Sequence, residues 1–194
     1  MGTIVELFRR NRQDRFATLL APHIDYLFRL AYRFTGQRAD AEDLVQDLLA
    51  KLYPRRGEIE QIELLRPWLA RTLYHHFIDQ VRRSERSPLH DAATLDALET
   101  AAVPAAEQPD SAAEADDMQR HLSTAMATLN PDQRALVALH DIEGYTLQEL
   151  QTMLDTPLGT LKSRLHRARA ALRSALNMEP FAPDQRFTGQ RTTQ

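Results

Sequence analysis

Cysteine is missing from the chain altogether, which excludes disulfides, thiolate zinc sites and thiol redox sensing and leaves the fold without a covalent staple. Alternating runs of Val, Ile and Thr are missing too. Leu, Ala, Arg and Glu at helical spacing dominate instead and predict an all-α protein. No stretch approaches membrane-spanning length. Residues Met1 to Arg15 mix Glu6, Arg9, Arg10 and Arg12 among few apolar residues and lack the apolar core of a signal peptide. The expectation is a cytoplasmic protein with no direct membrane insertion.

Catalytic constellations are equally absent. There is no phosphate-binding glycine loop and no nucleophile elbow. Of the seven histidines, only His75 and His76 are close in sequence, and neighbours on a helix point about 100° apart, too far to share one metal easily. His75 and Asp79 are four apart but lack two further ligands at sensible spacing. The sequence therefore predicts no catalytic residue, no metal, no cofactor and no enzyme; the protein should act by binding.

What is present is a partition of charge. The whole chain carries 24 basic and 27 acidic residues, but residues 87 to 117 hold eight of the acidic ones and no Lys or Arg. A net of +5 thus remains on the two flanking blocks, so a weakly acidic chain can still bind a polyanion locally. Pro88, Pro104 and Pro109 interrupt this Ala-rich acidic stretch, which reads as a flexible linker. Four segments follow: a helical domain over 1–86, the linker over 87–117, a second helical domain over 118–176, and a Pro- and Thr-containing tail over 177–194 expected to be disordered.

In the first domain, Ile24, Leu27, Phe28, Ala31 and Tyr32 predict one core helix. Asp40 is the expected cap of the next, whose apolar face carries Leu44, Val45, Leu48, Leu49 and Leu52. Arg55 to Leu65 reads as charged and irregular, and Pro67 as the restart of a helix with Trp68, Leu69, Leu73, Phe77 and Val81 inward. In the second domain, Thr146 and Glu149 have capping-box spacing ahead of Leu147, Leu150 and Leu154. Asp155-Thr156-Pro157 breaks that helix, with Thr156 the expected N-cap and Pro157 the first residue of the next. On that next helix Leu158, Leu161, Leu165, Ala168, Leu172 and Leu176 form an apolar stripe. Lys162, Ser163, His166, Arg167 and Arg173 lie roughly opposite, as in a recognition helix that enters the major groove.

The blocks Met126-Ala127-Thr128-Leu129-Asn130-Pro131-Asp132-Gln133-Arg134, Asp141-Ile142-Glu143-Gly144-Tyr145-Thr146 and Gly159 through Arg169 resemble region 4 of the extracytoplasmic-function sigma factors of bacterial RNA polymerase, in the sigma-70 superfamily. Phe28 through Gly36, Asp40 through Asp47 and Trp68 through Arg83 resemble region 2, in the order that family requires. The resemblance implies an alternative sigma factor, with several roles attached to residues. Asp40, Glu42, Asp43, Gln46 and Asp47 would dock on the beta-prime clamp helices of core RNA polymerase, and the second domain would meet the beta flap. Tyr53, His75, Asp79, Arg82 and Arg83 would read and open the minus-10 element, where capture of unstacked bases needs pockets, π-faces and cations. Thr160, Lys162, Ser163, Arg164, His166, Arg167 and Arg173 would meet the minus-35 element. An anti-sigma factor is the remaining implied partner beside polymerase and promoter DNA.

Three residues depart from the family's habit. His75 stands where asparagine is usual, which changes the hydrogen-bonding geometry offered to a minus-10 base. Gln151 replaces a small residue and Asp155 a glycine in the helix-turn-helix, although Asp tolerates the left-handed conformation such a turn needs. Two alternatives stay open at this point: a stand-alone helix-turn-helix regulator, and a degenerate sigma-like protein that binds partners without opening promoters.

Overall fold

The computed structural model describes residues 15–86 and 121–176, and the linker and tail expectations fall outside them. The described residues contain helices and turns and no strand. In chain order, the first half contains α1 (Arg15–Leu20), a 3-10 turn (Ala21–His23), α2 (Ile24–Thr35), α3 (Arg38–Leu52), a 3-10 turn (Tyr53–Arg55), α4 (Arg56–Ile59) and α5 (Leu65–Arg86). After a helical stretch at 121–127, the second half contains α6 (Pro131–Val137), a π-helical turn (Ala138–Ile142), α7 (Leu147–Leu154) and α8 (Leu158–Ala175).

Three boundaries differ from those read in the sequence. Helix α3 starts two residues before Asp40, from an extended Gln37 that makes no side-chain cap, so Asp40 lies inside the first turn, where its charge still favours the helix N-terminus. Pro157 is the N-cap of α8 rather than its first helical residue, and the Thr156 hydroxyl donates back to the Leu154 carbonyl at 3.1 Å, closing the preceding turn. The segment expected to be irregular between Arg55 and Leu65 contains α4, pinned by a fully buried Ile59, and α5 begins at Leu65, ahead of Pro67. In each case a buried neighbour or a backbone cap outweighs the local side-chain preference.

The first core gathers Leu27, Leu30, Phe34, Leu44, Leu48, Leu69 and Leu73, each almost wholly buried. The second gathers Leu136, Leu139, Leu150, Leu161 and Leu165. The two form one contiguous cluster, because α6 and the π turn pack on α2, and α6 and α7 on α5. Sequence periodicity shows which face of each helix is apolar, but not that two such bundles lie against each other.

The seam between the halves is polar at its edge. Gly36, at φ +80°, ends α2 and leaves the Phe34 and Thr35 carbonyls unpaired by the helix. Arg134 of α6 supplies the missing donors: Nη1 reaches the Thr35 carbonyl at 2.9 Å and the Phe34 carbonyl at 3.4 Å, while Nη2 donates to Leu129 at 3.1 Å and Ala127 at 3.4 Å. A Cβ on Gly36 would sit 3.2 Å from that guanidinium, so both the left-handed backbone and the close approach call for glycine.

Candidate nucleic-acid interface

The helix-turn-helix is fixed by local chemistry. Asn130 caps α6 in a reciprocal box with Gln133, and Thr146 caps α7 with Glu149. The Glu149 carboxyl is held below the usual range by the Thr146 backbone N–H and then by the hydroxyl. Asp155 adopts the left-handed conformation, φ 49°, at the C-cap of α7, as its residue type allows. This sets the angle at which α8 leaves the turn.

On α8, Leu161, Leu165 and Ala168 are buried, and Leu158 and Leu172 are half-buried. Thr160, Lys162, Ser163, His166 and Arg167 are exposed, so five of the seven residues assigned to the minus-35 element stand on open surface. Arg173 is half-buried. Arg164 is turned inward, with Nη1 3.2 Å from Asp132 Oδ1 on α6, where it braces the recognition helix. Sequence reasoning also left Arg169 out of the site. It pairs with Asp141 through Nε at 3.1 Å, which keeps its guanidinium charged. Together with Lys162, His166 and Arg173 it rims a shallow cleft floored by Leu147 and Leu165. The i, i+4, i+7, i+11 spacing of 162, 166, 169 and 173 is the signal that could have found it.

Two groups on the first half correspond to the other assignments. Asp40, Asp43, Gln46 and Asp47 are exposed along one side of α3, with Glu42 half-buried beside Arg38 at 3.1 Å. Arg38 draws the Glu42 carboxyl below its usual value. On α5, His75, Asp79 and Arg82 fall on one stripe by helical spacing, with Arg83 next to it. Asp79, Arg82 and Arg83 are exposed, and His75 is half-buried, edge-on to Tyr74 with ring centroids 5.4 Å apart. Tyr53 belongs to a separate cluster. The residue is 46% exposed, with the Phe16 ring nearly perpendicular at a centroid distance of 5.5 Å and the Arg56 guanidinium 4.8 Å from its centroid.

The neighbouring histidine behaves differently. His76 is only 6% exposed and its Nδ1 accepts from Lys51 Nζ at 2.9 Å, so the imidazole is neutral at that nitrogen. Burial, and then Lys51, hold its pKa below the usual value. The Gln80 amide next to it donates to Asp47 at 3.0 Å, which ties α5 to the exposed face of α3. Among the described residues no group of three His, Asp or Glu is placed to hold a metal ion, and no helix is long and apolar enough to cross a membrane.

Residues 19–87 match the family model described as Sigma-70 region 2, and residues 119–172 match Sigma-70, region 4. The chain is 35% identical over 161 residues to the ECF RNA polymerase sigma factor SigE of Mycolicibacterium smegmatis, covering 81% of this chain and 60% of that protein. It is 32% identical over 179 residues to the RNA polymerase sigma-E factor of Streptomyces coelicolor, covering 91% of this chain and 89% of that protein. Among solved structures, it superposes with a TM-score of 0.64 on the sigma factor RpoE of Bartonella quintana, crystallised with the anti-sigma factor NepR; the likeness, at 24% identity over 85% of this chain and 98% of that one, is one of fold. Both halves match in the expected order, and the identity runs through most of the chain: it belongs to the extracytoplasmic-function sigma factors of RNA polymerase, within the sigma-70 superfamily.

Proposed function

We propose that this protein is an alternative sigma factor that binds core RNA polymerase and directs it to a particular set of promoters, acting by binding alone and in the cytoplasm. The observation that carries this reading is the pairing, on one chain, of an exposed acidic-polar face on α3 with an exposed basic face on α8 of a capped helix-turn-helix. Residues 1–86 form the polymerase-docking and minus-10 unit, 118–176 the minus-35 unit, and 87–117 the tether between them. Tethering raises the effective concentration of the second DNA contact once the first is made, so neither half needs high affinity alone.

Within this reading Asp40, Glu42, Asp43, Gln46 and Asp47 meet the beta-prime clamp helices, and the second half meets the beta flap. His75, Asp79, Arg82 and Arg83 hold the opening minus-10 strand, and Tyr53 offers a π-face to an unstacked base. Lys162, Ser163, His166 and Arg167 read the minus-35 groove, with Thr160 and Arg173 at its edges and Arg164 positioning the helix. An anti-sigma factor is the expected inhibitor. Run-off transcription with core polymerase on promoters enriched from a random library tests the proposal: specific transcripts are expected. Duplex binding without polymerase and with no transcript would favour a stand-alone regulator, and polymerase binding without promoter opening would favour a degenerate sigma-like protein.

A further inference from the structure

Asp47 and Lys51 of α3 and His76 and Gln80 of α5 are joined in a way that the docking and promoter contacts proposed above leave unexplained. Along the exposed side of α3, Asp43, Asp47 and Lys51 recur at steps of four. An aspartate four residues before a lysine is the favoured order for an ion pair on a helix surface. Among the described residues, however, no ion pair joins Asp47 to Lys51. The Lys51 ammonium turns to α5 instead and donates to His76 Nδ1 at 2.9 Å, while Asp47 accepts from the Gln80 amide at 3.0 Å.

The acceptor is suited to that task. His76 is 6% exposed whereas Lys51 is exposed, so the imidazole is fixed and the ammonium comes to it. An ammonium has three donors and no acceptor, so Nδ1 keeps its lone pair toward Lys51 and the ring proton is on Nε2, beside the Gln80 amide nitrogen at 3.5 Å. Of the chain's 24 basic residues only Lys51 and Lys162 are lysine. A compact ammonium can be held by one acceptor, whereas the five-donor fork of an arginine would have donors left over for Asp47. At stake is the charge of the α3 face. Glu42 is already paired with Arg38 at 3.1 Å, which leaves Asp40, Asp43 and Asp47 as the carboxylates of that face without an ion pair among the described residues. A lysine on Asp47 would cancel one of those charges.

We propose that His76 is a positioning residue for polymerase docking: it holds Lys51 away from Asp47 and so keeps the α3 face acidic toward a cationic surface of the polymerase. Gln80 has the complementary part, because a neutral amide orients the Asp47 carboxylate without neutralising it. The arrangement depends on an uncharged ring. An imidazolium has no lone pair for Lys51, and the released ammonium is one helical turn from Asp47. Burial opposes that protonation most, then Lys51 of α3, with Arg83 of α5 adding to it; Asp47 of α3 and Asp79 of α5 favour it. This inference rests on the sigma-factor reading above.

Binding of the full-length protein to core polymerase at one fixed salt concentration tests it through a suppression pattern, with helix content by circular dichroism the same in every variant. His76→Leu, which removes the acceptor and keeps an apolar body, should weaken binding about fivefold at neutral pH. Lys51→Met, alone or added to His76→Leu, should bind within about twofold of the unaltered protein, because no ammonium is left to reach Asp47. His76→Asn, whose amide oxygen can accept in place of Nδ1, should bind normally as well. As pH falls from about 7.5 to about 5.5, the unaltered protein should lose affinity relative to Lys51→Met and to His76→Asn. Unchanged binding by His76→Leu would overturn the proposal. So would a loss that Lys51→Met fails to suppress, the result a purely structural histidine would give, or a pH response that Lys51→Met shares in full. Absence of polymerase binding by the unaltered protein would instead sink the sigma-factor reading, whereas binding that ignores these substitutions sinks this inference alone.

Discussion

The two halves of the chain hold their helices by different means. In the second half α6 and α7 start at reciprocal capping boxes and α7 ends at a left-handed Asp155, so residues within four positions define these boundaries, while α8 starts at Pro157 without a side-chain cap. In the first half α2 and α3 start without any side-chain cap, and α2 ends at a glycine whose neighbouring carbonyls are satisfied by Arg134 of the other half. The helix-turn-helix is therefore locally specified, and the first bundle is specified by its core and its neighbour.

The largest expected effect tests whether the halves share one core. Phe34 is fully buried, with Phe77 and Tyr74 ring centroids at 5.4 and 6.4 Å, and it stands where α6 packs on α2. Phe34→Ala should cost about 3–5 kcal/mol in urea unfolding, and both halves should melt in one shifted transition. Two separated transitions would show that the halves fold as independent units.

The next contrast lies within α8. Arg167 is exposed, and Arg167→Ala should cost about 1–3 kcal/mol of promoter affinity, confined to one or two minus-35 positions. Arg164→Ala, which removes the brace to Asp132, should lower affinity evenly across sequences. Binding measured on a set of single-base minus-35 variants separates the two patterns. An even loss from Arg167→Ala would make it a phosphate contact.

Local capping predicts a smaller effect. Thr146→Ala should lower stability by about 1 kcal/mol in thermal or urea unfolding, whereas His23→Ala, at the N-cap of α2, where no side chain caps the helix, should change it far less. Equal losses at the two sites would erase the contrast between the halves.

The smallest effect is in acid. His76 has its folded pKa lowered by burial and then by Lys51, so its contribution is complete above the unfolded value of about 6.5 and is lost as pH falls from there through the folded value. Asp47 and Asp79 oppose that shift, and Arg83 adds to it. Glu149, lowered by the Thr146 cap, loses its contribution only as pH falls below the usual 4.5. Amide exchange around Lys51 and His76 should therefore quicken at higher pH than exchange around α7, and His76→Gln should remove the earlier change. Simultaneous loosening of both regions would show that the shared core masks local titration.

Which residues turn out to be legible follows from the same contrast. The helix-turn-helix, the capping box that starts α7 and the exposed basic residues of α8 are legible, because capping boxes and apolar stripes are interactions between residues three and four apart, whereas the cap of α8 falls on Pro157 rather than Thr156. The start of α3 was misplaced at Asp40, because a plausible capping residue within a first turn looks the same in sequence as one at its edge. The sequence puts Arg164 among the minus-35 residues but does not show that its guanidinium lies against Asp132, 32 positions earlier, which no local pattern encodes.

The sequence by itself determined the helical class, the acidic stretch between two net-basic blocks, the recognition helix and the family, since these depend on composition and on periodicities of three to four residues. Only the tertiary structure decided that Arg134 caps a helix of the other half, that Glu143 lies between Arg33 and Arg66, and that His76 is buried while His75 next to it stands at the surface's edge. The physical reason is range. A cap or a stripe has its energy within one helical turn, whereas the pairing of buried charges across a seam depends on which two surfaces meet, and that is settled by the packing of whole helices.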